Sequence, residues 1–140
     1  MQRLLCTVAV LALGAFAFRL YADQGEKKAD ARVFEMRTYY AAPGKMEALH
    51  ARFRDHTCKL FEKHGMTIVG FWSPSDPKEA EKKMVYLLAF PSREAANKAW
   101  AGFRDDPAWK AARDASEKEG KLVDKVESVF LTATDYSPIK

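Results

Sequence analysis

Glu35, Arg37 and Tyr39 occupy alternate positions of the stretch Val33–Lys45, VFEMRTYYAAPGK. In an extended chain that spacing puts a carboxylate, a guanidinium and a phenol on one face, within reach of one another. The trio can serve as an ion pair with a hydrogen-bonded phenol that fixes strand register. It can also form the polar floor of an apolar pocket, where Arg37 binds an anionic group and Tyr39 orients it. An unpaired buried arginine is costly, so Glu35 would hold Arg37 until a ligand arrives. Trp72 and Tyr86, on two further strands, complete the set of candidate ligand-binding residues. The catalytic residues are unknown from sequence. His56, beside an apolar helical stripe, is the candidate base near neutral pH, or alternatively a haem ligand. His64, just before Gly65, suits a C-terminal capping cation. His50, His56 and His64 do not converge on one helix face and no carboxylate cluster joins them, so no metal site is expected. Gly-rich phosphate loops, nucleophile elbows and CxxC pairs are absent from the sequence.

The elements that must position these groups follow in order. A first strand spans Val33–Tyr40, with Phe34, Met36, Thr38 and Tyr40 expected on the core face and Val33, Glu35, Arg37 and Tyr39 on the other. Pro43-Gly44 ends it, and a helix from Lys45 to about His64 carries the stripe Met46, Leu49, Phe53, Leu60, Phe61. Gly65 is its left-handed C-cap. Met66–Ser73 is a second strand, with Gly70 as a bulge or close-approach point. Pro74–Lys82 is an exposed connection, and Lys83–Phe90 is a third, nearly continuous apolar strand that forms a hairpin with the second. Ser92 caps a helix with the buried face Ala95, Ala96, Ala99, Trp100, Phe103; Asp106-Pro107 restarts it. Leu122–Tyr136 supplies the last strand, strongest from Val126 to Thr134. The order strand, helix, strand, strand, helix, strand is an α+β, ferredoxin-like βαββαβ arrangement: a four-stranded antiparallel sheet with helices on one face. Trp72, Tyr86 and Tyr39 make the second face too apolar to stay in water. A homodimer that closes two sheets into an α/β barrel would bury it.

At 140 residues and 48% hydrophobic content the chain holds one domain with one core, plus an N-terminal appendage. Met1-Gln2-Arg3, the apolar run Leu4–Phe18 and the polar stretch from Asp23 have the layout of a secretory signal peptide. The domain division is then signal peptide 1–22, flexible spacer 23–32, folded domain 33–136 and C-terminal tail 137–140. Cleavage follows Ala22 or Ala17, and export to the periplasm or outside the cell is expected. Contact with a membrane would come only through an uncleaved signal segment. Removal of that segment takes Cys6 and leaves Cys58 alone, so no intramolecular disulfide forms. It also takes Arg3 and Arg19, so the formal charge of +4 falls to +2. The remaining charges alternate in sign along the helices, which excludes a nucleic-acid footprint.

An ordered set of short pieces resembles the NIPSNAP family, small domains of the dimeric α/β-barrel superfamily. The pieces are Glu35-x-Arg37-x-Tyr39, Pro43-Gly44-Lys45, His56, His64-Gly65, Gly70-Phe71-Trp72, Tyr86–Phe90, Ser92-Arg93-Glu94, Asp106-Pro107-x-Trp109 and Asp135–Pro138. The resemblance implies the fold and a homodimer, with no defined biochemical role. Relatives in the wider superfamily include cofactor-independent monooxygenases, ring-modifying enzymes and haem proteins. The sequence therefore leads to an exported dimeric module that binds a small hydrophobic or aromatic ligand, or a partner, without a cofactor. The alternative is a small cofactor-independent monooxygenase or isomerase with His56 as base and Tyr39 and Arg37 as stabilisers. Haem is the one cofactor left open.

Overall fold

A computed structural model describes residues 32–140. The expected signal peptide, and the expected spacer up to residue 31, lie outside the described residues. Strand β1 spans Val33–Ala41. Gly44, at φ 72°, turns the chain into a helical segment in three parts: α1 (Met46–Arg52), a π-helical turn (Phe53–Thr57) and α2 (Cys58–Lys63). Gly65 closes this segment at φ 75°, a region that costs an L side chain steric strain and glycine none. Strand β2 (Thr67–Trp72), a short helix α3 (Pro77–Ala80) and strand β3 (Lys83–Phe90) follow. Helices α4 (Arg93–Asp105) and α5 (Pro107–Ser116) precede strand β4 (Val123–Thr132).

The sheet order is β2-β3-β1-β4 with every neighbouring pair antiparallel, the βαββαβ topology that the element order implies. Caps punctuate it where the side chains allow. Ser92 Oγ accepts from the Ala95 amide at 3.1 Å, and Asp106 Oδ1 accepts from the Ala108 amide at 2.8 Å with Pro107 in the first helical position. The connection between β2 and β3 holds one helical turn, because Asp76 accepts from the amides of Lys78 and Glu79.

The core lies between the sheet and the helices. Leu49, Phe53, Leu60 and Phe61 descend from the first helical segment, and Ala96, Ala99, Trp100 and Phe103 from α4. They meet Met84, Tyr86, Leu88 and Phe90 on β3. Each large apolar side chain so buried contributes about 1.5–3 kcal/mol.

The face assignment of β1 is the reverse of the sequence expectation. Glu35, Arg37 and Tyr39 point toward the helices, where Trp100 donates to Glu35 and Phe53 packs edge-on against Tyr39. Phe34, Met36, Thr38 and Tyr40 point to the open side. Alternation separates the two sets but does not say which set meets a helix. Phe34 is still buried, because the chain beyond β4 folds back over it: Phe34, Leu87, Leu131 and Pro138 help to line an apolar cavity of about 370 Å³. The last strand also stops earlier than its sequence pattern, at Thr132, and the tail from Thr134 turns on itself through the Ser137 amide.

The open face carries Met36, Trp72, Val129 and Leu131 as exposed apolar groups, Trp72 at 53%. Strand β3, expected to be buried on both faces, is fully buried on the helix side, whereas Val85 and Leu87 on the open side are half-buried. Gly70 is both bulge and close approach. The β2–β3 register shifts between Ile68 and Gly70, and a Cβ at Gly70 would stand 2.8 Å from the Trp72 ring. No helix of the described residues is long and apolar enough to cross a membrane.

Candidate binding site

Glu35 is the anchor of the helix-side cluster. Its carboxylate is almost fully buried and receives three donors: Trp100 Nε1 at 2.5 Å, Ser128 Oγ at 2.6 Å and Arg37 Nη1 at 3.1 Å. Those donors come from α4, β4 and β1, so one carboxylate ties three elements together. Charge-assisted hydrogen bonds of this kind are the strong ones. A carboxylate so occupied, with three of its roughly four lone-pair sites taken by protein donors, is a positioning group.

What Glu35 positions is Arg37. The guanidinium lies 4.3 Å from the centroid of the Trp100 ring and 5.7 Å from that of Tyr39, with its side chain 19% exposed. Burial opposes its charge, but Tyr86, Tyr39 and Glu35 beside it outweigh that effect and its pKa is raised. One edge of the guanidinium is spoken for by Glu35. Its Nε is buried and has no hydrogen-bond partner among the described residues.

Tyr86 is the second unpaired donor. It faces Arg37 directly across β1 and β3, and its hydroxyl is buried without a partner among the described residues. The rings of Tyr39, Phe53, Phe61 and Phe71 surround it at centroid distances of 5.2–5.8 Å. Burial, followed by the Tyr39 phenol, pushes its pKa well above the ordinary phenol range, so it is a donor at any physiological pH. The π-helical turn explains how Phe53 enters this box. The extra residue in that turn shifts the helix phase, and a π turn inside an α-helix often accompanies a functional site.

The helices stop short of β4. Ser128 and Val126 lie on its helix side, opposite Arg37 and Tyr39, yet both stay exposed, Val126 at 38%. A trough therefore runs along β4. It is open to solvent at Ser128 and Val126 and bordered by their β1 partners Arg37 and Tyr39, and at one end the Arg93 guanidinium sits 3.4 Å over the Phe130 ring.

Of the residues singled out by sequence, Glu35, Arg37, Tyr39 and Tyr86 come together and the other two do not. Trp72 is on the opposite, open face of the sheet. His56 is exposed on the π-helical turn and makes no hydrogen bond or ion pair with the cluster, so its placement does not suit a base for a ligand held there. His64 caps the C-terminal end of α2 as expected, and its Nε2 lies 2.7 Å from Asp106 Oδ2. Cys58 is half-buried, and burial raises the pKa of its thiol, consistent with a packing role. No group of three or more potential metal ligands occurs among the described residues.

Sequence reasoning assigned Trp100 to packing and passed over Ser128. A buried indole N–H requires an acceptor, and that requirement is the signal that leads to Glu35. Ser128 carries no comparable signal, because only the β1–β4 register places it.

The NIPSNAP family model matches residues 34–138, from the buried Phe34 through the folded-back tail. The chain belongs to the NIPSNAP family. Its fold is also that of solved NIPSNAP structures. A family member from Agrobacterium tumefaciens is 17% identical with a TM-score of 0.67, and the match covers 78% of this chain and 99% of that one. A second protein from the same organism, described as having unknown function, is 20% identical with a TM-score of 0.67 over 79% of this chain and 95% of that one. A NIPSNAP domain protein from Burkholderia xenovorans is 21% identical, TM-score 0.62, over 76% and 98%. No curated protein matches the sequence. Within this NIPSNAP domain, the Glu35-x-Arg37-x-Tyr39 pattern is the strand segment that builds the buried cluster.

Proposed function

We propose that this NIPSNAP domain is a binding module for a small, largely apolar ligand that enters the trough over β4 and presents an oxygen acceptor to Arg37 and Tyr86. The observation that carries this reading is the pair of buried donors, Arg37 Nε and Tyr86 Oη, each without a hydrogen-bond partner among the described residues. A buried donor left unpaired costs about 1–3 kcal/mol, which an acceptor on a ligand recovers. Tyr39 is half-buried with its ring 5.4 Å from that of Tyr86 and tilted to it, so its outward rotation is the movement that admits the acceptor. Binding is favoured over proton abstraction because Glu35 is occupied by three donors and His56 stands apart from the cluster.

Two further parts of the reading concern context. The exposed Met36, Trp72, Val129 and Leu131 give the open face an apolar surface that a second copy would cover, making the working unit a homodimer. Residues 1–22 act as an export signal; intact-mass measurement on protein from a secreting host would show the chain starting at Asp23, and a full-length mass would contradict it.

The ligand site is tested by amide and indole N–H resonances during titration with acetophenone. Shifts are expected at Trp100 Nε1, Arg37 and Ser128. Shifts confined to Trp72 and Val129, or none at all at millimolar ligand, would refute the site.

A further inference from the structure

We infer that the oxygen which this site accepts belongs to a neutral carbonyl group and not to a carboxylate. The inference rests on the binding reading above and concerns the charge of the ligand. Arg37 is the cation of the buried cluster, and Glu35 at 3.1 Å already neutralises it. The other members, Tyr39, Tyr86, Trp100 and Ser128, are uncharged donors. A ligand carboxylate would thus set a second negative charge against one shared guanidinium, next to a Glu35 carboxylate that is 2% exposed and cannot be rescued by water. Tyr86 cannot relieve the excess by giving up its proton, since ionisation adds charge and burial opposes it. Arg93 does not offset it either. Its guanidinium is exposed over Phe130 at the end of the trough, where solvent and salt screen it.

A neutral ketone, aldehyde or amide meets none of these costs. Its carbonyl oxygen has two lone pairs for two donors, Arg37 Nε and Tyr86 Oη, and its apolar body would lie over the exposed helix side of β4 at Ser128 and Val126. The two buried donors and the pre-neutralised guanidinium are satisfied together by that class of ligand.

The experiment compares acetophenone with benzoate, which are similar in size and differ in charge, by resonance titration of the folded protein at pH 7. Acetophenone is expected to bind at least about 10-fold more tightly, a difference of about 1.4 kcal/mol. Glu35→Gln removes the neutralising charge and keeps the shape, so it should move the preference toward benzoate by at least about 10-fold. Arg93→Gln should leave the preference unchanged. Benzoate binding more tightly than acetophenone to the wild-type protein, with the shifts at Trp100 Nε1, overturns the inference and leaves the site standing. Failure of both probes to shift the cluster overturns the site itself. Should Glu35→Gln not fold, the wild-type ratio and its insensitivity to Arg93→Gln decide the matter.

Discussion

Replacement of Tyr86 by Phe isolates one atom. The ring packs against Tyr39, Phe53, Phe61 and Phe71 at 5.2–5.8 Å, and phenylalanine keeps every one of those contacts. Only the hydroxyl is lost, and it is buried and unpaired among the described residues. Removal should therefore stabilise the fold by about 1–3 kcal/mol, the cost of leaving such a group unsatisfied. For a domain of this size that is a rise in Tm of about 4 °C for each kcal/mol. Urea unfolding read by tryptophan fluorescence measures it, with the midpoint moving up and the slope unchanged. The pH dependence gives a second reading. The folded pKa of Tyr86 is raised, so its proton contributes stability that is complete below the ordinary phenol pKa of about 10 and is lost as pH rises above it. Wild type should lose stability relative to Tyr86→Phe above about pH 10, with a slope approaching 1.4 kcal/mol per pH unit for one proton. The reasoning fails if Tyr86→Phe is destabilised by 1 kcal/mol or more at pH 7, because the hydroxyl would then have an acceptor in the free protein.

Other perturbations test the surrounding contacts. Trp100→Phe strips a donor from the buried Glu35 carboxylate and should cost at least about 2 kcal/mol in urea unfolding; a loss below 0.5 kcal/mol would show that the 2.5 Å hydrogen bond does little. Asp106 is held well below the usual carboxylate range by Lys63 first, then His64 and the Ala108 amide, so its stabilising effect is present above about pH 4 and lost as pH falls. Asp106→Asn should lower Tm at pH 7 and flatten the decline between pH 4 and 2, and an unchanged acid profile would contradict that assignment. Val129→Lys places a charge on the open face, and light scattering should then report half the wild-type mass; a wild-type protein already at one-chain mass would remove the proposed dimer.

The element order was legible because its signals are local. Pro43-Gly44, His64-Gly65, Ser92 and Asp106-Pro107 each act within one turn of chain, and each ends or starts an element where its chemistry requires. The face of β1 was not legible for the opposite reason. Glu35 and Arg37 look like solvent-side or dimer-side residues in a strand pattern, and they become core residues only through Trp100 and Ser128, which are 65 and 93 positions away in sequence. The π-helical turn was hidden as well, since Met46, Leu49, Phe53, Leu60 and Phe61 read as one α-helical stripe. The overlong last strand has a simple cause: the apolar–polar alternation continues past Thr132 while the backbone leaves the sheet. As for the candidate site, the polar trio and Tyr86 were found from strand spacing, whereas the burial that leaves two of their donors unpaired belongs to the folded chain alone.

The most direct test of the account is a crystal structure of the protein soaked with 4-bromoacetophenone, whose bromine locates the ligand by anomalous scattering. The account predicts the bromine in the trough along β4, with the carbonyl oxygen within hydrogen-bond distance, about 2.7–3.2 Å, of Arg37 Nε and Tyr86 Oη. A ligand seated instead on the open face beside Trp72, with those two donors still unpaired, would contradict it.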